Sequence, residues 1–206
     1  MNIAIASSGL GHVSRGIETW ALDLSSALAE RGMEVTLFAG AAVGTAHSAE
    51  RIAHRGEAQI AASHACFDAA PTFGGSGRSL TPCAMPRAPC SLRIRVLPCL
   101  RRSGIAARLM ALCLPGFCWR WGLKSAYGVE QFSFWIRLWP QLRRGAFDII
   151  HVQDPIVGLW AQIFRNHGWI PTRVILAHGT EEPPEFLERF EYVQHLAPWH
   201  AEPGKS

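Results

Sequence analysis

The sequence predicts an α/β domain of three layers, in which a mostly parallel sheet lies between two layers of helices. Two strand–helix–strand patterns indicate this fold, one over residues 2–40 and one over residues 148–180. Their strands are continuous apolar runs, as expected when helices cover both faces of a parallel sheet. The length of 206 residues suits one domain of this kind with a substantial core.

The first unit begins with a strand over residues 2–7, followed by a glycine-rich loop and an amphipathic helix. Apolar residues recur every three or four positions from Ile17 to Leu28, which predicts a helix with one buried face. Gly32 follows the predicted helix at the position where a residue in the left-handed conformation commonly ends a helix. The strand at 34–39 follows, and so short a crossover predicts a right-handed parallel β-α-β unit.

The second unit repeats this order, with strands at 148–152 and 173–178 on either side of a helix that Gly168 ends. We expect these two strands and the two of the first unit to be neighbours in one sheet. Apolar, aromatic segments around 104–114 and 129–143 predict two further helices.

Residues 41–95 are rich in Ala, Arg, Pro, Gly, Ser and Cys and show neither helical nor strand periodicity. We interpret them as a poorly ordered insertion, or as sequence not selected for this fold, such as the product of a local frame error. The predicted domain spans 1–200 with this insertion inside it. A helix follows Pro184 and gives way to irregular chain, and residues 201–206 form a tail.

The loop after the first strand contains Gly9 and Gly11, and the helix follows near Gly16. Glycine lets backbone approach a ligand closely, and the free N–H groups of a helix N-terminus bind anions, so a phosphate is the first expected ligand. A dinucleotide fingerprint is disfavoured because Ser14 replaces its third glycine and the second strand ends at Gly40 without a carboxylate. No Gly-Lys-Ser/Thr follows, which excludes a P-loop.

The composition favours a cytoplasmic protein. We find no secretory signal and no apolar run of roughly 18 residues that could span a membrane. The six cysteines lack metal-ligand spacing, and we expect them to be free thiols.

Eight basic residues and one acid, Glu130, lie between Arg101 and Gly145. Aromatic rings and cations together are suited to the surface of an anionic membrane. We therefore expect the protein to bind such a membrane peripherally, and we expect no nucleic-acid partner. The alternative is that the tryptophans pack into the core. The residues concerned are Trp119, Arg120, Trp121, Lys124, Trp135, Arg137, Trp139, Arg143 and Arg144.

The segment "RGIETWALDLSSALAERGMEVTLFAG" resembles the opening of the family-four retaining glycosyltransferases of GT-B architecture, which commonly has G-G-x-E before an amphipathic helix. Gly16 and Glu18 match this motif, whereas Arg15 replaces its first glycine. "FDIIHVQDP" resembles the family's strand ending in H-x-H, and "RVILAHGTEE" its next strand ending in His-Gly. The resemblance covers about residues 1–40 and 120–200.

The resemblance implies a Rossmann-like domain that forms one half of an enzyme. Such enzymes transfer a sugar from a nucleotide-diphosphate sugar to a glycan or lipid-linked acceptor, with no other cofactor. Gln153 replaces the family's second histidine; its amide can bond a sugar hydroxyl but cannot take up a proton near neutral pH. The implied residues are Gly11, Arg15 and Gly16 for the donor phosphate and sugar, His178 and Gln153 for catalysis, and His151, Asp154 and Glu181 on the acceptor side.

The family's donor-binding half is a second domain, and this chain ends about where the linker to it would begin. We therefore expect the chain to need a donor domain, such as one encoded separately, and to transfer sugar negligibly alone. Two alternatives stay open. One is a binding domain that has lost catalysis, and the other is a metal-dependent hydrolase with His151, Asp154, His178 and Glu181 as ligands.

Overall fold

The computed structural model describes residues 1–10, 16–42, 92–178 and 182–196. The sheet has six strands, all parallel, in the order β3-β2-β1-β4-β5-β6. This is the strand order of doubly wound nucleotide-binding sheets. The strands are β1 Asn2–Ser7, β2 Glu34–Ala42, β3 Leu92–Cys99, β4 Ile149–Val152, β5 Arg173–His178 and β6 Tyr192–His195.

Five α-helices and one 3-10 helix accompany the sheet in the described part of the chain. The first helix covers one face, whereas the third and fourth cover the other, and the second packs on the third. They are α1 Gly16–Glu30, α2 Ile105–Cys113, α3 Ala126–Arg144, α4 Pro155–Asn166 and α5 Pro184–Leu187, with the 3-10 helix at Gly116–Trp121. The predicted three-layer α/β class is therefore confirmed.

The larger core lies between the sheet and helices α3 and α4. Phe38 on β2 contacts Phe147 edge-on, with ring centroids 5.8 Å apart. Trp135 on α3 is 1% exposed and makes the same kind of contact with Phe164 on α4, at 5.1 Å. Large aromatic rings packed this way dominate the apolar area buried by a domain. This face therefore contributes most of the hydrophobic stabilisation.

The α1 face has a smaller core. Ala21 and Leu22 of the helix pack on residues of β1 and β2 that face it, such as Ile5 and Leu37. The helix ends as predicted, because Gly32 adopts a φ of 78° and its N–H donates to the carbonyl of Ala29. Gly168 ends α4 in the same way with a φ of 70°. Only glycine enters this left-handed conformation without a steric penalty.

The four predicted strands are neighbours in one sheet, β2-β1-β4-β5, as expected. The two outer strands correct the sequence interpretation. Leu92–Cys99 is a strand, so the predicted insertion at 41–95 is wrong at its end, and β2 extends through residues 41 and 42 at its start. Tyr192–His195 forms the opposite edge where irregular chain was expected. The predictions for residues 43–91 and 201–206 lie outside the described residues.

The basic, aromatic segment contributes to the core rather than forming a single surface. Trp135 is buried, and half-buried Trp139 packs on Phe164 with ring centroids 5.5 Å apart, so these two tryptophans are wrongly placed in the predicted membrane-facing set. Lys124 and Arg137 are exposed, as are the two arginines that end α3. The side chains of residues 119–121 lie outside the description. No helix within the described ranges combines the length and the apolar character needed to cross a bilayer.

Candidate functional site

The candidate site lies where β1 and β4 run side by side, because the chain proceeds from them toward opposite edges of the sheet. Ligands of open α/β sheets bind outside the carboxyl ends of strands at such a switch point. The structure brings Ser8, which follows β1, to Asp154, which follows β4. We call Ser8, Gln153, Asp154 and the start of α1 the switch-point site.

Asp154 joins three elements at this site. Its Oδ2 accepts the backbone N–H of Ser8 at 2.6 Å, and its Oδ1 accepts from Nε2 of Gln131 on α3 at 3.4 Å. Oε1 of Gln131 in turn accepts the N–H of Ile156, in the first turn of α4, at 2.9 Å. Asp154 precedes α4 but makes no side-chain cap bond. Its carboxylate therefore holds the turn after β1.

Burial raises the pKa of Asp154 to about 6, and the nearby Glu130 carboxylate adds to this effect. The backbone hydrogen bond from Ser8 and the positive charge of Arg102 oppose it. Glu130 is itself fully buried. Its Oε2 accepts from Nε of Arg102 at 2.7 Å and from the Arg102 backbone N–H at 2.9 Å. A buried carboxylate needs such a partner, and Arg102 therefore balances the buried charge of Glu130.

Gln153 is 5% exposed, and neither its Oε1 nor its Nε2 has a hydrogen-bond partner among the described residues. An unsatisfied buried amide costs about 1–3 kcal/mol, so native proteins seldom keep one without a use. The amide presents a donor and an acceptor together, which is the complement of a ligand hydroxyl. Gln153 is therefore the strongest ligand-binding candidate among the described residues.

His151 lies on β4 two residues before Gln153, on the α1 face. Its Nε2 lies 2.7 Å from Oε1 of Gln194 on β6, and its ring lies 5.1 Å from that of Trp20 on α1. Burial lowers the pKa of His151, and the hydrogen bond to Gln194 opposes this. The imidazole is therefore neutral at pH 7. Because Gln194 accepts, the proton lies on Nε2 and leaves Nδ1 as a buried acceptor.

The end of β2 lies against the turn that follows β1, on the side of the site opposite β4. A Cβ on Gly40 would collide with the carbonyl oxygen of Ser8 and lie 3.0 Å from Sγ of Cys99. No carboxylate stands at this strand end, so the ribose ligand of a dinucleotide site is missing here. Burial raises the pKa of the Cys99 thiol to about 12, so this cysteine is not a nucleophile. Cys99, Cys113 and Cys118 are free thiols, as predicted.

The structure brings together three of the predicted site residues, His151, Gln153 and Asp154, at the carboxyl end of β4. Gly16 is the first residue of α1, and His178 ends the neighbouring β5, where only its backbone is described. Gly11, Arg15 and Glu181 lie outside the described residues. Gln131 and Gln194 are two residues of the site region that were not predicted from the sequence. No signal could have revealed Gln194, since β6 itself was not predicted.

Within the described ranges, no three His, Cys, Asp or Glu side chains are grouped as metal ligands. The hydrolase alternative also requires Glu181 and the His178 side chain, which are not described. Comparison with known proteins adds no identification, since no protein-family model matches the chain and no curated protein is significantly similar to it.

Proposed function

We propose that this chain is the acceptor-side domain of a retaining glycosyltransferase of GT-B architecture. Completed by a donor-binding domain, on the same chain or a separate one, it would transfer a sugar from a nucleotide-diphosphate sugar to a glycan or lipid-linked acceptor. The observation that carries the proposal is the Gln153 amide, buried and without a partner among the described residues at the switch point. Such an amide suits the hydroxyl groups of a sugar.

The other residues take roles that follow from their positions. The first N–H groups of α1, from Gly16 onward, would stabilise the charge that develops on the departing diphosphate, with Arg15 adding a cation. Nδ1 of neutral His151 would accept a hydrogen bond from a hydroxyl group of the acceptor substrate. His178 is proposed to contact the sugar. Asp154 is a positioning residue, because both of its oxygens already accept hydrogen bonds within the domain.

Ligand-observed NMR with UDP-glucose and GDP-mannose tests the proposal. We expect weak binding of at least one nucleotide sugar, a loss of about tenfold in Gln153→Ala, and little change in Gln162→Ala. Gln162 is an equally buried glutamine on α4. Its Nε2 donates to Asn166, whereas its Oε1 has no partner among the described residues, so it controls for the loss of a buried amide away from the switch point. Binding that Gln153→Ala leaves intact, or binding of neither sugar, would contradict the assignment.

The second candidate is a binding domain without catalysis. The same residue favours it, because Gln153 cannot take up a proton near neutral pH. The two proposals differ once a donor-binding domain is added. Sugar transfer that Gln153→Ala abolishes identifies the enzyme, whereas binding of sugar without transfer identifies the binding domain.

A further inference from the structure

Helix α2 packs on the domain through two small residues and presents large apolar ones to solvent. Its buried residues are Ala107 and Ala111, on the side that faces α3. Ile105, Leu109 and Leu112 are 75%, 55% and 78% exposed. Residues at this spacing share one face of a helix. The amphipathic pattern of α2 is therefore inverted relative to that of a helix that buries its large apolar residues.

The exposed apolar area is concentrated. Nine large apolar side chains of the described part of the chain are exposed, and five of them lie between Ile105 and Phe117. Exposed apolar residues concentrated in one segment indicate an interaction site, whereas scattered apolar residues do not. We call these five residues the α2 apolar surface: Ile105, Leu109, Met110, Leu112 and Phe117.

The exposed charges of the segment that carries this surface have one sign. Arg108 lies on α2 itself, and Lys124 and Arg137 are exposed on the segments that follow. The one acid between residues 101 and 145 is Glu130, which is fully buried and paired with Arg102. The solvent-facing charges of this segment are therefore all positive.

We propose that the α2 apolar surface docks on an anionic lipid bilayer. Apolar side chains flanked by cations are what an interfacial helix requires, since the side chains enter the acyl boundary while Lys and Arg remain among the headgroups. A second copy of this chain fits less well. Pairing two such surfaces would bring arginines and lysines together with no exposed acid in this segment to neutralise them. The proposal does not depend on sugar transfer.

Sedimentation with vesicles tests the inference on the whole chain, using phosphatidylcholine alone and an equimolar mixture with phosphatidylglycerol. We expect binding to the anionic vesicles that high salt reverses. Leu112→Glu should weaken it by at least about tenfold, whereas Tyr192→Glu, which adds the same charge at an exposed site on β6, should not. Arg108→Gln should weaken it about fivefold and Arg173→Gln, exposed at the start of β5, much less.

Because these positions are exposed, the variants should retain the fold, which thermal melting checks. If the new charge in Leu112→Glu lowers the melting temperature, Leu112→Ser is used in its place. Equal binding to neutral and anionic vesicles, binding to neither, or equal losses in Leu112→Glu and Tyr192→Glu would overturn the proposal. Self-association that Leu112→Glu abolishes, without vesicle binding, would identify a protein interface instead.

Discussion

The two faces of the sheet differ in what they bury. The face beneath α3 and α4 is apolar and aromatic, with Trp135 and Phe38 among its largest buried side chains. The face beneath α1 is apolar over β1 and β2 but becomes polar at β4, where His151 and Gln153 carry buried atoms without partners in the described part of the chain. Buried polar atoms without partners lower the stability of the fold, and functional sites are where proteins typically keep them. The face beneath α3 and α4 therefore buries most of the aromatic area, although Gln162 on α4 also keeps an unpartnered Oε1, and the face beneath α1 carries the candidate site.

The largest effect should come from the apolar face. Trp135→Ala removes a fully buried indole from the contact with Phe164 and leaves a cavity, so we expect a loss of about 3–5 kcal/mol in the free energy of unfolding. Urea denaturation measures it. Trp169→Ala is the matched control, since this tryptophan touches the same Phe164 ring but is 53% exposed. Equal losses in the two variants would show that the aromatic core is not where stability is concentrated.

The next largest effect is the pH dependence of stability that Asp154 causes. The pKa of Asp154 is raised to about 6 in the folded chain from an ordinary 3.8, so the folded state binds more protons between these values. This group's contribution to stability therefore decreases as pH rises from about 4 to 6. Asp154→Asn lacks this titration, so the variant should gain on the order of 3 kcal/mol relative to the parent over that range.

Urea denaturation of both proteins at pH 4, 5, 6 and 7 isolates this term, because the titration of other groups cancels in the difference. The variant also loses one of the two hydrogen bonds at residue 154, which offsets the whole curve without changing its slope. A difference that stays constant with pH would mean that Asp154 is not buried as a carboxylate.

The smallest expected effect is a change in stability when a buried glutamine is replaced by leucine, and its sign should differ between Gln153 and Gln131. Gln153→Leu removes an amide without partners among the described residues and should raise stability by about 1 kcal/mol, while it abolishes any sugar binding. Gln131→Leu removes the bonds to Asp154 and Ile156 and should lower stability by about 1–3 kcal/mol. Denaturation midpoints of the two variants decide. If Gln153→Leu destabilised the chain as much as Gln131→Leu, its amide would have a structural partner.

Local signals explain why the four inner strands could be predicted. Residues 3–6 and 174–177 are apolar because helices cover both faces of the sheet there, and Gly32 and Gly168 end helices through their own φ angles. The edge strands lack that signal. In β3 the exposed Arg93 and Arg95 alternate with less exposed residues, which is the pattern of a half-covered edge, and β6 has only four residues.

The sequence by itself determined the α/β class, the four inner strands, the helix ends at Gly32 and Gly168, and the candidates His151, Gln153 and Asp154, because apolar runs and helix ends are properties of neighbouring residues. Only the tertiary structure decided which contacts those candidates make. Asp154 bonds the backbone of Ser8, 146 residues away, and His151 meets Gln194 from an unpredicted strand. Hydrogen bonds across such separations depend on sheet order, and the burial that shifts a pKa depends on every element packed around the group. Neither is encoded in a local pattern.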